Sequence, residues 1–167
     1  AWIAADNGSV GVLKVLLEAS ADVGVSGYGQ RSCLQSACFH GHVQVVEMLL
    51  NCEIRRLVHA TDEQGATAFF ASCHEGHLET AKLLANKGAS IDACAFDGSS
   101  PLFVASQNGH IPVVQFLVEQ GADKDCARDG GFTPLYIACQ HGHLDVVQFL
   151  LTGHLHDSDS NYSQQRR

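Results

Sequence analysis

Two short stretches hold residues that could do chemistry. Cys38-Phe39-His40-Gly41-His42 and Cys139-Gln140-His141-Gly142-His143 both read Cys-x-His-x-His. A thiolate beside two imidazoles offers the ligand types that zinc takes. A third set, Asp97, Ser106 and His110, supplies the acid, hydroxyl and base of a nucleophilic triad, provided they converge in one pocket. Neither a Gly-x-Ser-x-Gly elbow nor a Gly-x-x-x-x-Gly-Lys-Ser/Thr phosphate loop is present.

Whether these residues act together depends on the elements that carry them, and those elements repeat. Gly-His recurs at Gly41-His42, Gly76-His77, Gly109-His110 and Gly142-His143, with Gly8-Ser9 as a degenerate copy. Successive glycines lie 33, 35, 33 and 33 residues apart, and a fixed period of this size marks a stacked array. Four, five, eight and nine residues after each Gly stand apolar residues such as Val45, Val46, Leu49 and Leu50, or Val113, Val114, Leu117 and Val118, with Thr80 the exception. The intervening sixth place is polar throughout: Lys14, Glu47, Lys82, Gln115 and Gln148. That is a single apolar stripe on a helix. Seven residues before the Gly stand Leu34, Phe69, Leu102 and Leu135, and four before it the small Ala37, Ser72, Ala105 and Ala138, which let a second helix approach closely. Asp62-Glu63-Gln64-Gly65, Asp97-Gly98 and Asp129-Gly130-Gly131 precede that helix and suit tight turns. Each unit therefore reads turn, helix, Gly turn, helix, loop.

Register now answers the chemical question. The Cys place of the Cys-x-His-x-His stretches is filled by Ala5, Cys38, Cys73, Ser106 and Cys139, so it demands a small side chain. The His after each Gly opens the second helix, where it can satisfy turn backbone groups. Asp97, Ser106 and His110 likewise occupy repeat places held elsewhere by unrelated residues. No metal site, no catalytic residue and no cofactor is expected.

The motifs resemble the ankyrin repeat. Gly131-Phe132-Thr133-Pro134-Leu135-Tyr136-Ile137-Ala138 followed by Gly142-His143 carries the resemblance, with a weaker copy in Gly98-Ser99-Ser100-Pro101-Leu102-Phe103-Val104-Ala105 and Gly109-His110. Gly121-Ala122-Asp123, Gly88-Ala89-Ser90 and Ser20-Ala21-Asp22 are similar to the loop after the second helix. The resemblance implies an all-α ankyrin-repeat solenoid of stacked helix-turn-helix units with β-hairpin-like connecting loops. It places units at 23–57, 58–90, 91–123 and 124–153, a partial one at 1–22 and a polar tail at 154–167. The segment from Asn51 to Leu57 carries two extra residues and reads as a tolerated loop extension. Where the family usually has a His after Pro-Leu, this chain has Trp2, Gln35, Phe70, Phe103 and Tyr136, so packing is expected to replace a hydrogen bond. Ala68, Thr80 and Ala85 predict a weaker interface in the 58–90 unit, and the stripe of Val146, Val147, Leu150 and Leu151 is expected to be under-covered.

The resemblance also implies the function: a non-enzymatic module binding a peptide or protein segment on its concave face. In the family, contact residues lie at turn tips and at the end of the first helix. Here these are Tyr28, Arg31, Phe39 and His40; Glu63, Gln64, His74 and Glu75; Phe96, Asp97, Ser99, Gln107 and Asn108; and Asp129, Phe132, Gln140 and His141. They fall outside the apolar stripes. Exposed aromatic residues on a rigid surface are typical hot spots, and Glu63, Glu75, Asp97 and Asp129 alternate with them. A partner carrying Lys or Arg is expected.

Composition agrees. Lys plus Arg is 10 against 18 Asp plus Glu, a net charge of −8, which repels phosphate and argues against nucleic acid. No apolar run approaches the roughly 20 residues that span a bilayer, so no membrane insertion is expected. Seven Cys, an odd number without framework spacing, suit a reducing intracellular compartment, cytoplasmic or nuclear. The chain starts inside a unit without an initiator Met and reads as a monomeric fragment of a larger scaffold or adaptor. The alternative is a regulatory or substrate-recruiting segment of a larger enzyme or channel.

Overall fold

A computed structural model describes residues 1–24, 26–52 and 55–154, with backbone alone for 55 and 56. Most of the expected polar tail and two residues of the expected loop extension, Glu53 and Ile54, lie outside the described residues.

The helices alternate in two rows. First helices are α1 (Trp2–Asp6), α3 (Cys33–Phe39), α6 (Ala68–His74), α8 (Pro101–Gln107) and α10 (Pro134–His141). Second helices are α2 (Val10–Glu18), α4 (Val43–Asn51), α7 (Leu78–Asn86), α9 (Ile111–Glu119) and α11 (Leu144–Thr152). A short helix, α5 (Arg55–Val58), follows α4. Each first helix packs on the first helices beside it and on its own second helix, and the second helices form a parallel row. The chain is thus an all-α solenoid. Isolated antiparallel bridges, Thr61 to Thr67 and Arg128 to Phe132, give two of the connecting turns a hairpin form.

Local chemistry fixes the ends of the first helices. Ser32, Thr67, Ser100 and Thr133 accept the amide hydrogen of the residue three positions on, satisfying a donor the helix cannot. Pro101 and Pro134 occupy the first turn, where a missing N–H costs nothing. The small residues Ala37, Ser72, Ala105 and Ala138 are all fully buried, and the same core holds Val45, Leu84 and Leu117. Burying such an aliphatic chain stabilises by about 1.5–3 kcal/mol.

The Gly-His pairs do more than open a helix. Each His reaches back across the array: the Nε2–H of His42, His77, His110 and His143 donates to the carbonyls of Asp6, Phe39, His74 and Gln107, at 3.0, 3.1, 3.0 and 2.8 Å. Each ring also lies over the preceding unit's Gly. At Gly76, with φ of +79°, an added Cβ would sit 2.6 Å from the His110 ring. The period therefore conserves a link between units rather than a local cap.

Three sequence expectations meet the structure here. Packing replaces the hydrogen bond at Phe70 and Phe103, which are buried, but not at Gln35. Its Oε1 accepts the Ser32 amide at 2.7 Å and its Nε2 donates to the Ala66 carbonyl at 2.7 Å. The amide side chain thus ties two turns together as an imidazole would. At the C-terminal end, Val146 and Leu150 are buried against α9, while Leu144 and Leu151 stand exposed. In the 58–90 unit Thr80 is buried, but its hydroxyl donates to the His77 carbonyl at 2.8 Å, so it leaves no orphaned polar group.

Candidate functional site

Beside the main core lies a second apolar cluster of Ala66, Phe70, Phe103, Val104 and Ile137. It sits where first helices meet turn tips, and it floors a groove. One stretch of the groove, about 470 Å³, is bordered by Glu63, Gln64, Phe96, Asp97, Gln107 and Arg128 over Phe70 and Val104. A second stretch, about 190 Å³, shares Gln64, Ala66, Phe70 and His74 and continues to Phe39, Arg31 and Asp62. A shallower recess joins Tyr28 to Arg31 and Glu63.

Of the expected contact residues, the structure brings Arg31, Phe39, Glu63, Gln64, His74, Phe96, Asp97, Ser99 and Gln107 to the groove, with Tyr28 at its end. Tyr28 is 91% exposed and Phe96 77% exposed. The Phe96 ring lies over Gly65, where a Cβ would meet it at 2.5 Å, and its amide donates to the Gln64 carbonyl at 2.9 Å. An aromatic ring is thus held outward by a neighbouring tip. Phe39 takes the Arg31 guanidinium 4.3 Å above its ring. Ser99 is only 3% exposed; its hydroxyl and amide both donate to Asp97, so it shapes the tip instead of facing outward.

The remaining residues lie off the groove. His40 meets the Asp6 carboxylate at 3.3 Å, where Ser36 also donates. Glu75 pairs with His74 Nδ1 at 2.6 Å. Asn108 donates to the His74 carbonyl. Phe132 leans on Tyr136 at 4.9 Å, and Asp129, Gln140 and His141 are exposed.

The acidic rim is less acidic than its composition. Arg128 binds Asp97 at 3.3 Å and Arg31 approaches Asp62 at 3.8 Å. Partial burial raises the Asp97 carboxyl, but the Ser99 amide and hydroxyl and Arg128 outweigh it and hold the group below the usual carboxylate range. Glu63 is the groove acid that forms no ion pair among the described residues, although Arg31 lines the same recess. Sequence reasoning missed Phe70, Val104 and Arg128, because their repeat places read as core or loop. Among the described residues no three His, Cys, Asp or Glu side chains are arranged to hold a metal.

The model for ankyrin repeats (3 copies) matches residues 1–95 and again 90–163. The chain belongs to the ankyrin-repeat family. A probable E3 ubiquitin-protein ligase of rice (Oryza sativa subsp. japonica), XBOS33, is 37% identical over 83 residues, 48% of this chain and 15% of that protein. The ankyrin repeat and KH domain-containing protein mask-1 of Caenorhabditis elegans is 36% identical over 90 residues, 53% of this chain and 3% of that protein. The array therefore spans a small part of the length of these relatives. Ankyrin repeats are protein–protein interaction modules. No helix among the described residues is long and apolar enough to cross a membrane.

Proposed function

We propose that this ankyrin array is a non-enzymatic binding module of a larger intracellular scaffold or adaptor, holding an extended peptide or protein segment along the groove of first helices and tips. The observation that carries the reading is Phe96, displayed over Gly65 beside an apolar floor of Phe70 and Val104. Such a ring exposes apolar area without losing side-chain freedom on binding. Glu63, in no ion pair on the rim, favours a Lys or Arg in the bound segment. Phe39 and Arg31 extend the contact at one end.

Selecting a random peptide library on the immobilised chain tests this. Enriched peptides are expected to combine a bulky apolar residue with Lys or Arg. Phe96→Ala is expected to weaken their binding by more than ~1 kcal/mol with an unchanged melting temperature, and Glu63→Gln to weaken the basic peptides selectively. Peptides insensitive to both substitutions overturn the groove assignment. The rice relative's name supports a second reading, in which the same groove recruits substrate for an enzyme that contains the array. The binding chemistry is the same; the flanking domains differ.

A further inference from the structure

Adjacent tip loops are tied side by side in a fixed register. The Asp123 amide donates to Asp92 Oδ1 at 3.3 Å, and the Asp129 amide to the Asp97 carbonyl at 3.2 Å. Partners at these two ties are 31 and 32 residues apart, since 123 − 92 = 31 and 129 − 97 = 32. Between them that offset sets residue 94 opposite 125 and 126. Cys94 and Cys126 occupy these places within electrostatic reach of one another, and the Cys94 thiol donates to the Asp92 carbonyl at 3.4 Å. Cys94 is exposed and Cys126 half-exposed, whereas Cys38 and Cys73, the neighbouring pair between α3 and α6, are buried beyond the reach of a reagent.

We propose that Cys94 and Cys126 are an oxidisable dithiol that closes a disulfide between consecutive tip loops. The co-reactant is a small-molecule disulfide of the glutathione type. One thiolate attacks a sulfur of that disulfide, and a glutathione thiolate leaves. The second cysteine, as thiolate, then attacks the protein sulfur of the mixed disulfide and expels the second glutathione thiolate. Two protein thiols lose two protons and two electrons; one glutathione disulfide becomes two thiols. Both loops feed the groove: Cys94 lies two residues before Phe96, and Cys126 two before Arg128. Closure therefore fixes the Phe96 tip against the Asp97–Arg128 pair, with no partner required.

Partial desolvation within the loop, the Cys126 thiol and the carboxylates of Asp92 and Asp97 all raise Cys94, to about 11. Its thiolate is scarce near neutral pH, so closure runs slowly there and accelerates as pH rises.

The test treats the intact chain with oxidised glutathione, alkylates the remaining thiols and digests it with trypsin. Cleavage after Lys87, Lys124 and Arg128 leaves Cys94 in peptide 88–124 and Cys126 in peptide 125–128. The expected product is these two peptides joined with the loss of two hydrogens, formed within one chain, reversed by dithiothreitol and accompanied by a raised melting temperature. Cys94→Ser, shown folded by circular dichroism, is expected to abolish the joined product, and Cys52→Ser to leave it intact. Separate glutathione adducts at Cys94 and Cys126, or joining only between chains, would overturn the proposal.

Discussion

At the residue scale, the array is held by side chains that serve a neighbour rather than their own helix. His110 donates to the His74 carbonyl while its ring covers Gly76. Gly76→Ala places a Cβ into that ring at a positive φ, and is expected to cost about 1–3 kcal/mol in urea unfolding. A loss no larger than that of an ordinary surface change would show the His–Gly contact to be incidental. Gln35→Leu removes the tie to the Ala66 carbonyl, which keeps the Asp62 amide at 3.0 Å, and leaves the buried Ser32 amide without the Gln35 Oε1, with an expected loss of about 1–3 kcal/mol by the same measurement. The periodic Gly-His was visible in the sequence, but its direction was not. A motif shows that a polar group recurs; only coordinates show which carbonyl, in which unit, it finds.

At the element scale, the tips carry the acid sensitivity. Asp97 has its folded pKa depressed, so its stabilising contribution is present above the unfolded carboxylate value of about 3.9 and is lost as pH falls through the lowered folded value. Thermal melts of wild type and Asp97→Asn are expected to differ at neutral pH and to converge in acid. Parallel curves throughout would remove the Ser99 and Arg128 contacts from the account. The helix pairs themselves were legible beforehand, because a stripe at helical spacing is a local property of one segment. The groove was legible only in part: Phe96, Glu63 and Gln107 could be read from their places outside the stripes, whereas Arg128 becomes a rim residue only when its unit stacks on Asp97 of the unit before.

For the whole molecule, stacking makes stability a sum over neighbouring interfaces. Interior and terminal positions of the same stripe should then differ sharply. Leu117→Ala, fully buried between α7 and α11, is expected to cost about 2–5 kcal/mol. Leu151→Ala, on the outer side of α11, is expected to cost less than ~1 kcal/mol. Equal losses in chemical denaturation would mean that the terminal helix is covered by something beyond the described residues.

The amino-acid order alone determined the repeating unit, the two helices within it, their buried faces and the family, since the unit shows as a recurrence of residue types and the helices as spacings within one segment. Tertiary structure decided the rest. It chose Gln35 as a hydrogen-bonding tie, paired Asp97 with Arg128, laid Phe96 over Gly65 and set Cys94 beside Cys126. Each of these joins residues about one repeat apart. Such pairings depend on the offset between stacked units, and no local pattern encodes that offset.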